Sequence, residues 1–304
     1  MENKPEVLSD AKASAMGRSA RGGNEFYESR FDVSVVNPVS SRYMFFSSQR
    51  TGSNYLCRRL CNVNDRFGLP SEYLNPNAIK GMAARLGAPV AGDAQGLKLG
   101  EYLRGVERIR TTKDGCFGIK VQPKQVLTRL PPTNDSAARF LQKFERVIVL
   151  TRRDKVAQAV SGSIAEATGK WFSDGSEAVL ADADLAKLCP DVAFKLNRYI
   201  QEEIMMVNAA TRSGRPVLHI DYEEILAEPD ATFNRLLVFL GEPRGVAGVE
   251  EADVAAVPEK AAGEIARRLK EQFLNFITGA GRHPVSGAGP ASDQTSIHSR
   301  SKPL

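Results

Sequence analysis

The run Tyr43-Met44-Phe45-Phe46 and the segment after it, Ser47-Ser48-Gln49-Arg50-Thr51-Gly52-Ser53-Asn54-Tyr55-Leu56, decide how this chain folds. Four consecutive apolar residues between polar neighbours read as a buried strand. The polar loop that follows carries one glycine and leads into a helix expected from Ser53 to Asn64. In such a strand–loop–helix turn, the loop amides and the positive end of the helix dipole converge on one point, which makes an anion cradle. Arg50, Thr51 and Ser53 add donors, and Gly52 lets the backbone come close to the anion. The loop is not a Walker A motif: the first glycine of G-x-x-x-x-G-K-[ST] is missing and no lysine follows Gly52.

The same alternation continues along the chain. Cys116 to Val121 reads as a second strand, and Val147-Ile148-Val149-Leu150 as a third, being β-branched and abrupt at both ends. A helix from Asp154 to about Lys170 follows, with Asp154 as its cap. A long amphipathic helix is expected from Asp191 to about Arg212, stopped by Gly214, and a fourth strand from Pro216 to Ile220. Helices over Asp230–Leu240 and from Glu259 to about Phe276 complete the set. Strands alternating with helices predict an α/β fold, with a central parallel sheet flanked by helices on both faces. Binding sites in such sheets lie beyond the carboxyl ends of the strands.

The 304 residues are 42% hydrophobic and 25% charged, ordinary for a globular protein. The net charge of +5 suits an anionic ligand without identifying one. Residues 1–40 and 279–304 are polar and rich in small residues, so they read as flexible arms on one domain spanning 41–278. The stretches 87–96 and 131–135 read as surface insertions. The four cysteines, Cys57, Cys61, Cys116 and Cys189, have neither zinc-ribbon spacing nor a C-x-x-C motif. No apolar h-region and no long apolar run occurs, so a cytoplasmic protein without a membrane span is expected. The three histidines are scattered, and no metal site is expected.

With these residues in view, the chain resembles bacterial sulfotransferases that use 3′-phosphoadenosine 5′-phosphosulfate (PAPS), the group of trehalose 2-sulfotransferase and the lipopolysaccharide and nodulation-factor enzymes. The loop S-Q-R-T-G-S resembles the family's 5′-phosphosulfate loop, which implies donor binding by Ser48, Gln49, Arg50, Thr51, Gly52, Ser53 and Asn54. Asn54 stands where many members carry threonine. Gly68-Leu69-Pro70-Ser71-Glu72 matches a G-x-P-x-E element, which implies that Glu72 is the general base. Thr151-Arg152-Arg153-Asp154 through Ser161 resembles the 3′-phosphate element and implies that Arg152 and Ser161 hold that phosphate. The family often has proline where this chain has Arg153, which leaves the choice between the two arginines open. Phe117-Gly118-Ile119-Lys120 resembles a G-x-K strand and implies that Lys120 lies near the reacting groups, while Trp171 matches a tryptophan that could stack against a sugar, with core packing the expected role.

The implied activity is sulfuryl transfer from PAPS, as co-substrate and without a metal, to a hydroxyl of a carbohydrate or glycolipid, with Arg50 and Lys120 assisting Glu72. No nucleic acid is expected as a partner, and a homodimer is among the open oligomeric states. Two other readings fit part of the pattern: a P-loop-type ATP-dependent small-molecule kinase, and a non-catalytic nucleotide or nucleic-acid binder.

Overall fold

The computed structural model describes residues 27–63, 65–87, 97–131, 134–171, 180–242 and 263–279. In chain order the elements are β1 (Ser41–Ser47), α1 (Ser53–Val63), α2 (Pro76–Met82), α3 (Leu99–Arg110), β2 (Cys116–Val121), α4 (Pro123–Leu127), α5 (Asn134–Leu141), β3 (Arg146–Thr151), α6 (Lys155–Thr168), α7 (Asp182–Ser213), β4 (Val217–Asp221), α8 (Tyr222–Ala227), α9 (Pro229–Phe239) and α10 (Glu264–Thr278). The strands form one sheet in the order β2-β1-β3-β4, and every pairing is parallel. The α/β fold with a parallel sheet is therefore the one the sequence predicts.

Strand composition follows from burial on both faces, which makes parallel strands continuously apolar. Met44, Phe46, Val147 and Val149 face one core with residues of α2, α3, α5 and α7. Their alternating neighbours Tyr43, Phe45, Ile148 and Leu150 face a second core built with α1, α8 and α9. A third cluster joins α6, α7 and α10. Gly118 lies against the Tyr43 ring: a Cβ there would stand 2.3 Å from it. The Tyr43 hydroxyl, in turn, donates to the Phe67 carbonyl at 2.7 Å.

Asp154 caps α6 as expected, its carboxylate accepting from the Ala157 amide at 2.8 Å. Gly214 ends α7 in the left-handed conformation, φ 64°. The start of α7 differs from expectation. The expected start is Asp191, just after Pro190, yet the helix begins at Asp182 and passes through the proline. Pro190 removes one backbone donor, but Leu185 and Cys189 before it and Val192 after it are all buried in the third cluster. Tertiary burial on both sides of the proline keeps the helix continuous.

Residues 27–40 of the expected arm are docked. Phe31 is buried with Cys61 and Leu69, Asp32 pairs with Arg110 at 2.9 Å, and the Val33 amide donates to the Ile109 carbonyl. The rest of that arm, the tail beyond 279, most of the 87–96 insertion, His283 and His298 lie outside the described residues. In the other expected insertion, Asn134 already begins α5. No helix among the described residues is long and apolar enough to cross a membrane.

Candidate functional site

A cavity of about 560 Å³ opens where β1 and β2 end. Gln49 to Asn54 form one wall; Glu72, Lys120 and Gln122 belong to another.

The β1–α1 loop is shaped by its own backbone. Arg50 is the one residue other than glycine with positive φ among the described residues, at 65°, and Gly52 follows at 80°. A side chain in the left-handed region is strained, and such strain concentrates at functional sites. At Gly52 an added Cβ would also press on Ile225 at 3.0 Å and Tyr222 at 3.1 Å. The Gly52 carbonyl accepts from Tyr55 and Leu56, which starts α1 and leaves the first amides of the helix facing the loop. Thr51, expected as a donor to an anion, is fully buried and gives its hydroxyl to the Ser48 carbonyl at 3.1 Å.

Arg50 joins the two halves of the expected donor site. Its Nε donates to Ser161 Oγ at 2.9 Å and its Nη1 to the Trp171 carbonyl at 2.9 Å. Arg152 Nη1 donates to the Arg50 carbonyl at 3.4 Å, and its guanidinium lies 4.4 Å from the Tyr222 ring centre. Ser48, Arg152 and Ser161 do not line the cavity; Arg50 does, and connects Arg152 and Ser161 to it. The two candidate arginines face different surroundings. Arg152 is buried, whereas Arg153 is exposed and pairs with Asp221 and Glu223.

Burial pushes Arg50 down to about 10, and the Arg152 charge adds to this against Tyr199 and Tyr222. Arg152 is lowered by burial too. Both guanidinia remain charged at neutral pH. Among the described residues neither makes an ion pair, and Arg152 Nε is buried without a hydrogen-bond partner. Two neighbouring cations, one of them with an orphaned donor, fit a phosphorylated anion.

The opposite wall is complete in itself. A parallel bridge between Ser71 and Ile119, with the Lys120 amide donating to the Ser71 carbonyl at 2.9 Å, sets Glu72 beside the end of β2. Lys120 Nζ stands 2.7 Å from Glu72 Oε1 and also donates to Asn54 Oδ1. Gln122 and Gln125 donate to Glu72 Oε2 at 2.8 and 3.0 Å, and Asn75 lies at 3.5 Å. Burial alone would raise the Glu72 carboxyl. The Lys120 charge and the hydrogen bonds from Lys120, Gln122 and Asn75 outweigh it and hold the group below its usual value.

Of the expected site residues, Gln49 to Asn54, Glu72 and Lys120 border one cavity, while Arg152 and Ser161 stand behind the loop and touch Arg50. Sequence reasoning missed four residues. Gln158 donates to Ser48 Oγ and the Gln49 carbonyl at 2.8 and 2.7 Å, and Arg198 donates to Gln49 Oε1 at 3.1 Å. Gln122 and Gln125 hold Glu72. Strand alternation from Lys120 could have found Gln122, and the helical spacing of Gln158 from Ser161 could have found Gln158. No local signal marks Arg198, which arrives from mid-α7. Trp171 is partly exposed and lines the cavity, in place of the core packing expected.

A search of curated proteins gives no match. The family model described as Stf0 sulphotransferase matches residues 42–272, which spans the whole sheet and both walls of the cavity. That span covers most of the chain and contains every residue singled out above as a candidate, so the chain belongs to the Stf0 sulphotransferase family and is a sulfuryl-transferring enzyme.

Proposed function

We propose that this sulphotransferase takes its sulfuryl group from PAPS and delivers it to a carbohydrate or glycolipid hydroxyl, with Glu72 as general base. The observation that carries the reading is the Arg50–Arg152 arrangement: two buried guanidinia without an ion pair among the described residues, linked through the Arg50 carbonyl, at the tips of adjacent strands. A ligand with a phosphate at each end of an adenosine suits such a pair, and the orphaned Arg152 Nε offers a donor for the 3′-phosphate. PAPS supplies an activated sulfur whose bond to the 5′-phosphate oxygen breaks as the acceptor oxygen bonds to it.

The chain's own residues divide the remaining work. Arg50, Ser53 and the loop amides bind the 5′ end and stabilise the charge that grows on the departing phosphate oxygen. Arg152 and Ser161 fix the 3′-phosphate. Glu72 takes the acceptor proton as its oxygen attacks, then releases that proton to water. Lys120, between Glu72 and Asn54, neutralises charge where the two walls meet. Asn75, Asn77 and Tyr27 supply polar groups on the acceptor side of the cavity, the kind of surface that hydrogen-bonds a sugar.

The test is transfer of radiolabelled sulfate from PAPS to a panel of sugars and glycolipids. Wild type is expected to label at least one acceptor. Glu72→Gln is expected to bind adenosine 3′,5′-bisphosphate normally and to turn over about 10²–10⁴-fold more slowly. Wild-type turnover retained in that variant would reject Glu72 as the base, and calorimetry showing no preference for the bisphosphate over ATP would reject PAPS as donor.

A further inference from the structure

We propose that Gln122 and Gln125 are positioning residues that occupy one oxygen of the Glu72 carboxylate and so assign proton abstraction to the other, Oε1. The inference rests on Glu72 being the base.

The hydrogen-bond accounting is local. A carboxylate offers about four in-plane lone pairs, two on each oxygen. Gln122 Nε2 and Gln125 Nε2 fill both positions on Oε2, at 2.8 and 3.0 Å, and Asn75 Nδ2 approaches the same oxygen only at 3.5 Å, the outer limit of a hydrogen bond. Lys120 Nζ takes one position on Oε1, at 2.7 Å. One lone pair remains, on Oε1, next to the lysine that reaches across to Asn54 in the donor loop. An acceptor hydroxyl that gives its proton to this lone pair also stands at the boundary between the two walls.

The amide orientation of Gln125 is fixed independently of Glu72. Its Oε1 accepts the Gln122 backbone N–H at 3.0 Å, so the NH₂ end must face the carboxylate. Both side chains are buried, Gln125 at 3% and Gln122 at 8% exposure, and both sit where β2 runs into α4. Lys120 and Gln122 share one side of the extended chain because they are two residues apart. A single turn of backbone therefore delivers three of the four donors around Glu72. Cys57 from α1 and Tyr27 from the docked N-terminal segment also face Glu72, both raised by burial and so neutral at working pH. Arg58 from α1, Lys124 from α4, Glu166 from α6 and Arg198 from α7 line the same cavity.

The experiment uses the full chain with Gln122→Met, Gln125→Met and Gln125→Glu. Methionine keeps the side-chain length without a donor. Glutamate at 125 keeps the acceptor for the Gln122 amide while placing a second carboxylate against Glu72. Two readouts are taken: the pH profile of kcat/KM for sulfuryl transfer, and the carboxyl ¹³C titration of Glu72 in labelled protein. In the methionine variants the acid limb and the Glu72 midpoint are expected to rise together by about one pH unit. The kcat is expected to fall about 10- to 100-fold, with binding of adenosine 3′,5′-bisphosphate unchanged. Gln125→Glu is expected to give the larger rise, and it still reads the effect if a methionine variant misfolds. Unmoved midpoints in variants that bind the bisphosphate normally would overturn the proposal. If wild type transfers no sulfuryl group, the reading of Glu72 as base fails, while the ¹³C titration still reports whether the two amides hold its carboxylate.

Discussion

The two walls of the cavity are built on opposite principles. On the β1–β3 side, Arg50 and Arg152 lie close together, held by hydroxyl and carbonyl oxygens and by the Tyr222 ring, with no carboxylate in contact among the described residues. On the β2 side, one carboxylate is met by a lysine and three amides before any substrate arrives. The first wall carries two guanidinia whose charge burial disfavours, a cost that Glu223 and Asp154 offset only in part at Arg152. The second has its charge already satisfied, with its reactive group fixed in place. The difference teaches which wall depends on the ligand and which is preorganised.

The largest expected effect breaks the preorganised wall. Lys120→Met removes the cation at Glu72 Oε1 and the link to Asn54, so kcat should fall about 10²-fold or more, read by steady-state assay with saturating donor. A variant within threefold of wild type would mean that this wall works without its cation. The next test sharpens the other wall. Arg152→Ala should weaken adenosine 3′,5′-bisphosphate by about 10- to 100-fold, the worth of a charge-assisted contact, while leaving adenosine 5′-phosphate unaffected by calorimetry. Equal losses for both nucleotides would move the 3′-phosphate elsewhere.

A third test uses pH. The ionised form of Glu72 exists above its folded pKa, which is lowered. The kcat/KM profile should stay flat through neutral pH, and its acid limb should lie below the ordinary carboxylate value of about 4.3. The stability contribution of Glu72 follows the same direction: present above that value and lost as pH falls through the lowered pKa. The smallest effect separates strain from binding. Arg50→Gly removes a side chain from the left-handed region at φ 65°, worth about 1 kcal/mol or more. Its melting temperature should rise by about 2–4 °C as nucleotide affinity drops. A lower melting temperature would show that Arg50 contributes more to the fold than its backbone conformation takes away.

The sheet was legible because each strand is an apolar run with sharp ends, and two-sided burial in a parallel sheet requires that pattern. That the β1–α1 loop, Glu72 and Lys120 would meet at the strand tips was legible because they stand in short motifs next to those strands. Other features depend on residues far apart in sequence. The helix start expected at Asp191 gives way to Asp182 only once the burial on both sides of Pro190 is known. Gln125 becomes a partner of Glu72, 53 residues away, only once β2 and the Ser71 bridge have formed. Arg198 reaches Gln49 across 149 residues. Arg152 and Arg153 are adjacent and chemically alike, so only the fold reveals that one turns inward and the other meets Asp221 and Glu223.

The strand order β2-β1-β3 gives the enzyme a ruler. Lys120, the loop after Ser47, and Arg152 sit at the tips of three consecutive strands, and neighbouring strands stand about 4.8 Å apart. Hydrogen-bonded ladders set that spacing, and loop motion cannot stretch it. If Arg50 and Arg152 hold the two ends of the donor as proposed, lengthening the spacer between those ends by one or two bonds would carry its far end past the last mark.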